Sequence, residues 1–573
     1  MGGLGQDCAE TRGFGKPEPA GRGASPQFAL QQGAAGEWLP CRRLACIRRG
    51  IARCRRRMNS AQSSPPKKRK RAPSHAHSHW AGHKPLSHAE IRRIVFGIML
   101  AMFLGALDQT IVATAMPTIG RNFGALEHLS WIVTAYLLTS TAATPLYGKL
   151  SDMYGRRAMM LIAIAVFMAG SLACALAPNM LMLILGRGLQ GLGAGGLLPL
   201  AQTVVGDIVL PKERGRYQAY LSFMWMTAAI SGPVLGGFLS QYFHWSLIFW
   251  INIPLGLLAF WMSNAALKNL PSVTRPHKLD VIGSLLMMAA AVSLLLALTS
   301  GGVRFPWSSA PIIGLLVASA LLWFLFVMRL RTAPEPFLPL SILSNQVVRM
   351  GTLLSAFNIS CLIGLTIFVP LYFDLVMGLS SSLSGLALIP LMVLSNFGAL
   401  VAGRGLGYFH HYKRVPLVGL SLSVLALISL AINPQQSLTL VLIHLGVVGA
   451  GIGTVYPVAT VAVQNAVQRH QLGIATGSMN FFRALFSAII VAGLGAIILG
   501  GVNLKSGGGA LFDLLQHSGG SAEVALVFRW VFAASAATLG AALLCLILME
   551  ERPLPGRADI PVAAAAPPAA AAE

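Results

Sequence analysis

Long apolar runs alternate with short polar connections from Arg93 to about residue 550. A helix rises about 1.5 Å per residue, so about 20 apolar residues cross a hydrocarbon core about 30 Å thick. Fourteen runs are long enough, and we place them at residues 94–117, 129–149, 158–177, 180–206, 215–240, 245–266, 281–300, 310–330, 349–376, 383–403, 415–432, 438–465, 473–500 and 524–549. The pattern therefore predicts an all-α integral membrane protein with 14 transmembrane helices.

The later helices repeat a pattern of the earlier ones. Seven residues recur at a constant offset of 258 positions, and the pairs are Gly191/Gly449, Gly193/Gly451, Gly195/Gly453, Pro199/Pro457, Ala201/Ala459, Gly215/Gly473 and Phe223/Phe481. Six helices with their connections need about 180 residues, so this offset leaves about 75 residues for two more helices. We expect two six-helix halves, two inserted central helices and a pathway between the halves.

These helices divide the chain into five segments. Residues 1–93 are basic, rich in Gly, Arg, Pro and Ser, and lack apolar periodicity, so they predict a disordered cytoplasmic leader. The N-terminal six-helix half, the two inserted helices with their loops, the C-terminal six-helix half and a disordered C-terminal tail follow at residues 94–266, 267–348, 349–549 and 550–573. Because residues 1–57 differ in composition from the polar stretch after them, we hypothesise that translation begins at Met58.

Composition indicates the class of protein, and the distribution of charge indicates how its helices are oriented in the membrane. Hydrophobic residues make up 55% of the chain and charged residues 11%, with a mean hydropathy of +0.66, which excludes a soluble globular protein. Eighteen Lys and Arg residues lie in alternate loops, whereas the opposite side has only Arg121, Arg304 and Lys505. The positive-inside rule places the eighteen, and both termini, in the cytoplasm. We therefore predict a multi-pass protein of the cytoplasmic membrane.

Several short motifs resemble binding or catalytic motifs of soluble proteins, and the context of each motif argues against that interpretation. The basic run Lys67–Arg71 is interpreted as a tail attracted to anionic lipid rather than as a nucleic-acid site. The GxGxxG pattern at Gly191–Gly196 lies inside a predicted spanning helix, which indicates helix packing. The seven cysteines have no zinc spacing, and no P-loop or nucleophile with a base is found. We expect no metal, no cofactor, no catalytic residues and no enzymatic activity.

Asp108 and Arg187 stand out among the ionisable residues inside predicted helices, where a charge is costly. Asp108 lies nine residues before the end of helix 1 and Arg187 seven after the start of helix 4, so the two can meet at similar depth. Burial favours a neutral carboxyl and a cationic neighbour favours a charged one, so movement of Arg187 would load and release a proton. A permanent structural salt bridge is the alternative. Gln190, one turn from Arg187, would extend a polar stripe into the cavity.

Helices 13 and 5 carry two further candidates. Arg483 is predicted near mid-membrane without an evident acidic partner, where it would meet an anionic substrate or backbone carbonyls. In helix 5, Pro233 interrupts the hydrogen-bond ladder. The small residues around it allow another backbone to approach closely, and they are Gly232, Gly236 and Gly237. Tight packing at this face would also seal a leak.

The same residues resemble motifs of the major facilitator superfamily, in its 14-helix drug/proton antiporter branch of the multidrug efflux type. The resemblance covers about residues 90–550 and rests on four motifs, at Leu107–Pro117, Gly148–Arg157, Leu185–Gly191 and Gly232–Gly237. The segment Glu335–Leu340 also resembles one that this branch carries before helix 9. One departure is Leu445, which stands at the position matching Arg187 in the second half, so coupling is expected to be asymmetric.

The resemblance implies alternating access driven by the proton gradient, with Asp108 and Arg187 in the protonation role. It also implies a cytoplasmic latch made of Gly148, Asp152, Gly155, Arg156 and Arg157, in which a carboxylate switches between arginines and a helix N-terminus. The expected function is proton-coupled export of amphipathic or cationic drugs by a monomer. A dedicated exporter or importer of one metabolite, such as a sugar or siderophore, is the alternative, and a polytopic enzyme or receptor is a weaker one.

Overall fold

The computed structural model consists almost entirely of helices, and it describes residues 88–123, 128–268, 279–302, 305–339, 342, 344–408, 411–506 and 521–554. Within these ranges the only extended pairing is one isolated bridge between Gly301 and Phe305. Met58, the run Lys67–Arg71 and most of the predicted C-terminal tail lie outside the described residues. The first helix among the described residues begins at His88, so the last residues of the predicted leader, from His88 on, are helical.

Fourteen long helices follow one another in the part of the chain that the structure describes. They are α1 (His88–Phe123), α2 (Leu129–Tyr154), α3 (Arg156–Ala175), α4 (Met180–Ile208), α5 (Pro211–Tyr242), α6 (Leu247–Leu267, interrupted at Ile251), α7 (Val281–Ser300), α8 (Ala310–Thr332), α9 (Gln346–Leu375), α10 (Ile389–Tyr408), α11 (Arg414–Ile432), α12 (Leu438–Asn465), α13 (Leu472–Ser506) and α14 (Ser521–Leu548). Thirteen are long and apolar enough to cross a membrane. The exception, α2, has 26 residues, and its Ser, Thr, Lys and Asp side chains lower its hydropathy. The predicted fold class is confirmed.

The two six-helix halves pack in the same order. Helix α4 packs on α2 and α3, and α12 packs in the same way on α10 and α11, while α5 lies on α1 and α13 on α9. The repeated glycines occupy equivalent crossings: Gly193 of α4 contacts Phe167 of α3, and Gly451 of α12 contacts Gly419 of α11. The offset of 258 residues therefore corresponds to a structural duplication.

The inserted pair, α7 and α8, lies beside the boundary between the halves. The two helices pack on each other, and α7 also packs on α2 of the first half and on α13 of the second. Asp280 begins α7 by accepting the Gly283 N–H at 3.0 Å, and Arg329 Nε of α8 lies 3.0 Å from the same carboxylate. Phe337 and Leu338, just before α9, are buried in the same apolar cluster as residues of α7, α8 and α13.

Candidate functional site

Asp108 and Arg187, which the helix depths predict to meet, form a buried ion pair between α1 and α4. Arg187 Nη1 lies 2.6 Å from Asp108 Oδ2, and the two side chains are 1% and 0% exposed. The guanidinium lies over the Tyr136 ring of α2, with its Cζ 4.2 Å from the ring centroid, and its Nε donates to the Ile132 carbonyl at 3.2 Å. A carboxylate, a carbonyl and an aromatic face therefore surround this cation.

Two neutral amides contact the carboxylate of the pair, and a hydroxyl supports both amides. Gln190 Nε2 donates to Asp108 Oδ1 at 2.7 Å and to Ser171 Oγ of α3 at 2.7 Å, while Gln190 Oε1 accepts from Arg187 Nη1. Asn252 Nδ2 of α6 donates to Asp108 Oδ1 at 2.8 Å. The structure thus places Gln190 inside the network of the ion pair rather than along an open stripe.

Three members of this network were missed by sequence reasoning: Tyr136, Ser171 and Asn252. Asn252 could have been identified from the sequence, because it is a polar amide beside a mostly apolar run in α6. Its Oδ1 is buried without a hydrogen-bond partner in the structure, although its Nδ2 is bonded to Asp108. Three helices of the first half, α3, α4 and α6, thus supply the groups that touch or support the carboxylate of α1.

Arg483 of α13 lies in a second buried polar cluster. It is 6% exposed and forms no ion pair with any residue that the structure describes. Its guanidinium donates to Ser355 Oγ of α9, to Asn480 Oδ1 at 3.1 Å and to Thr460 Oγ1 of α12 at 3.2 Å. The ring of Tyr456 lies beside it, with its centroid 4.8 Å from Arg483 Cζ. The cation is thus hydrogen-bonded by neutral groups only.

This second cluster also connects the two halves. Gln202 of α4 donates to Tyr456 Oη and accepts from Asn480 Nδ2 at 2.7 Å. Gln464 Nε2 of α12 donates to the Gln202 carbonyl at 3.0 Å. Sequence reasoning missed Gln202, Gln464 and Asn480, because their meeting depends on how one half is placed against the other.

The predicted cytoplasmic latch joins the halves at the end of α2. Asp152 accepts the backbone N–H groups of Gly473 at 3.0 Å and Ile474 at 2.8 Å, which begin α13. Arg156 Nη1 lies 2.6 Å from Asp152 Oδ1, and Arg156 Nε lies 2.8 Å from Asp207 Oδ2 of α4. A carboxylate of one half is thus bonded to a helix N-terminus of the other, where negative charge is favoured.

Two other predicted latch residues, Arg157 and Gly155, form no hydrogen bond between the halves in the described structure. Arg157 donates to Asn264 Oδ1 of α6 at 2.6 and 3.0 Å, so it stays within its own half and away from Asp152. Gly155 joins α2 to α3 at φ +92°, which glycine adopts without strain. Asp207 was not predicted, yet it binds Arg156, and its carbonyl accepts from Arg469 Nη2 of the second half at 2.6 Å.

The glycines predicted to allow close packing in α5 face α1. A Cβ at Gly232 would collide with Thr110 Oγ1, and one at Gly236 would collide with Thr114 Oγ1 and the Ile111 carbonyl. Thr110 Oγ1 also bonds to the Ala228 carbonyl of α5 at 3.0 Å. Gly237, in contrast, has no atom within 4 Å of a Cβ position, so it is outside this contact. Pro233 lies inside α5, which continues to Tyr242.

We expect Asp152→Asn to weaken the junction between α2 and α13. A neutral amide loses the charge that favours the helix N-terminus and the pairing with Arg156, at a cost of about 1–3 kcal/mol. This cost shifts the balance toward separation of the two helices by about 5- to 150-fold. Spin labels on exposed Tyr154 and Gln468 would report it as a larger population of long distances.

Of the seven native cysteines, Cys174, Cys361 and Cys545 are buried in the helices, and the other four, Cys8, Cys41, Cys46 and Cys54, are replaced by serine so that the label reacts with the introduced cysteines. Asp374→Asn is the matched control, because Asp374 is an exposed carboxylate of α9. A distance distribution unchanged by Asp152→Asn would show that this contact does not hold the helices together.

Comparisons with a family profile and with known proteins indicate the same family. The profile of the Major Facilitator Superfamily matches residues 98–492. The chain is 34% identical over 415 residues to the multidrug transporter protein MdtP of Bacillus subtilis, covering 72% of this chain and 76% of that one. It is 33% identical over 408 residues to the efflux pump dotC of Dothistroma septosporum, covering 70% of each.

Solved structures share the fold at low sequence identity. The human organic anion transporter MFSD10 (TETRAN) has a TM-score of 0.57 at 16% identity and aligns over 80% of this chain and 99% of its own. The proton:xylose symporter XylE has a TM-score of 0.53 at 16% identity, over 81% and 98%. The chain belongs to the major facilitator superfamily, and it is a multi-pass membrane transporter of small molecules, similar to members of the multidrug efflux type.

Proposed function

We propose that this transporter exports amphipathic or cationic compounds in exchange for protons, by alternating access, as a monomer and without a cofactor. The observation that carries the proposal is the desolvated pair of Asp108 and Arg187. An inward-moving proton supplies about 2.3 kcal/mol per 100 mV of membrane potential and about 1.4 kcal/mol per pH unit. This energy is enough to sustain a roughly hundredfold gradient of an exported compound.

The geometry supports a role for the pair in coupling. A proton on Asp108 would remove the negative charge that Arg187 Nη1 binds, whereas Arg187 would keep its own charge. The guanidinium would then rely on the Gln190 amide, the Ile132 carbonyl and the Tyr136 ring. The attraction between α1 and α4 would weaken, and α1 also carries the Thr110 contact with α5. Protonation would thereby bias the packing of three helices in the first half.

The position of the contacts between the halves supports alternating access, while the names of relatives support export. Asp152 with the start of α13, and Arg469 with Asp207, join the halves at the face that the Lys and Arg distribution predicts to be cytoplasmic. A transporter closed at this face would exchange protons and compounds with the outside. The names of two relatives, a multidrug transporter and an efflux pump, agree with export.

The decisive test is proton movement in inside-out vesicles with an acidified lumen. Adding amphipathic dyes, both cationic and zwitterionic, is expected to raise the lumenal pH with the native chain and to have no effect with Asp108→Asn, at equal amounts of folded protein. Asp374→Asn, an exposed carboxylate, is the control and should respond like the native chain. A full response from Asp108→Asn would place the coupling proton elsewhere, and a response to only one metabolite would favour a dedicated transporter.

A further inference from the structure

Away from the helix ends, the buried charges of the described helices do not cancel. Away from helix ends, the buried charged side chains are Asp108, Arg187 and Arg483, while the remaining three lie at helix ends, namely Asp152, Arg214 and Asp280. Asp108 and Arg187 neutralise each other at 2.6 Å. Arg483 is therefore left as one net positive charge within the membrane-spanning part of the described chain. A buried charge that is not neutralised is costly, which makes this residue a candidate for function.

The groups around Arg483 satisfy its hydrogen bonds without neutralising it. Its three described acceptors are the hydroxyls of Ser355 and Thr460 and the amide oxygen of Asn480, all of them uncharged. A guanidinium has five N–H donors in a planar fork, and this fork matches the two oxygens of a carboxylate. An acidic ligand would thus supply the missing charge and would replace hydrogen bonds to neutral acceptors by hydrogen bonds in which both partners are charged.

The cluster lies where the two halves meet. Its residues belong to α9, α12 and α13 of the second half, and Gln202 of α4 joins it from the first half through Tyr456 and Asn480. Arg483 lies 11 residues after the start of α13, which corresponds to a depth of about 16 Å along the helix. Transporters built from two repeats bind their cargo near the bilayer midplane, between the repeats. This is the position that Arg483 occupies.

We propose that Arg483 binds the acidic group of the transported molecule, so that the preferred substrates are amphiphiles carrying a carboxylate, alone or beside a cationic group. The proposal rests on the proposed function, since it narrows the class of exported amphipathic compounds. In this arrangement the substrate carboxylate accepts from the Arg483 fork in place of Asn480 and Thr460. A compound with only a cationic group gains no such bond and meets a like charge.

A matched pair of dyes tests the proposal. Rhodamine 110 has a free carboxylate, and rhodamine 123 is the methyl ester of the same fluorophore, so the two differ at the acidic group alone. Equilibrium binding to the purified full-length protein, measured by fluorescence anisotropy, should favour the acid. We expect Arg483→Gln to lower the ratio of acid affinity to ester affinity by about 10- to 100-fold, because a charge-assisted hydrogen bond is lost. Arg483→Lys, which keeps the charge, should retain most of the preference.

The ratio of two affinities does not depend on the fraction of protein that is folded, so partial unfolding of Arg483→Gln cannot imitate the result. A native protein that prefers the ester, or that binds neither dye, would overturn the proposal. An unchanged ratio in Arg483→Gln would also overturn it and would make Arg483 a structural residue. Dye-driven proton movement abolished by Asp108→Asn, together with an unchanged ratio, would leave the proposed function intact while removing this substrate class.

Discussion

Gly148→Leu is expected to abolish transport while the helices still form. Gly148 of α2 crosses Gly473 of α13 so closely that a Cβ on either residue would collide with the carbonyl oxygen of the other. Gly215 of α5 and Gly403 of α10 make an equivalent crossing, and Gly215 and Gly473 are related by the repeat. A leucine side chain at Gly148 must push α2 and α13 apart, because backbone atoms cannot move aside as a flexible side chain can. The predicted cytoplasmic face would then fail to close.

Two measurements check this expectation. Dye-driven proton movement in inside-out vesicles should fall to the level of vesicles without the transporter, and spin labels at Tyr154 and Gln468 should show only the longer distances. Gly314→Leu is the control, since a Cβ at Gly314 of α8 has no atom within 4 Å. Native transport by Gly148→Leu would mean that the two halves need not approach this closely during the cycle.

The transmembrane helices and the residues of the central ion pair could be predicted from the sequence. Apolar run lengths report the thickness of the bilayer directly, so all fourteen predicted spans correspond to helices in the described chain. Similar depth indicated that Asp108 and Arg187 can meet, because each residue's distance from its helix end is fixed by the helical rise, and the structure brings them together. The repeat also gave the order of the halves, since equal spacing of small residues requires equal crossings.

The predicted boundaries were less accurate at proline and at polar helix ends. The first helix was predicted to end at residue 117, yet α1 continues to Phe123. Proline is tolerated inside membrane helices, where neighbouring groups satisfy the freed carbonyl, so it is a weak stop signal here. Helix α1 also begins earlier than predicted, at His88, because hydropathy identifies the apolar core of a helix and not its polar extension into water.

Contacts that depend on the placement of whole helices were beyond the sequence. Asn252 and Ser171 lie on helices that are far from Asp108 in sequence, and a single polar residue in an apolar run does not indicate its partner. Gln202 and Asn480 meet across the two halves, which no periodicity reports. Glycine spacing predicted close packing correctly for Gly232 and Gly236. It could not distinguish them from Gly237, where a Cβ would have no atom within 4 Å.

Removing either partner of the central ion pair is expected to lower the free energy of unfolding by about 3 kcal/mol, because each change leaves the other group buried without its counter-charge. Asp108→Asn should be the less stable of the two single variants. It leaves a guanidinium that cannot lose its proton, whereas Arg187→Gln leaves a carboxyl that can be neutralised by taking one up. The double variant should lose little more than Asp108→Asn alone, since both charges are then absent.

Unfolding by SDS in mixed micelles at neutral pH measures the complete cycle of the native chain, the two single variants and the double variant. We expect a coupling energy of about 1–3 kcal/mol between Asp108 and Arg187, as is usual for residues in one hydrogen-bonded network. Asn252→Leu serves as a comparison, because it removes one neutral donor to the carboxylate at 2.8 Å and leaves the ion pair in place. Strictly additive losses in the double variant would show that the pair contributes no mutual stabilisation, and the coupling role of Asp108 would then have to arise without Arg187.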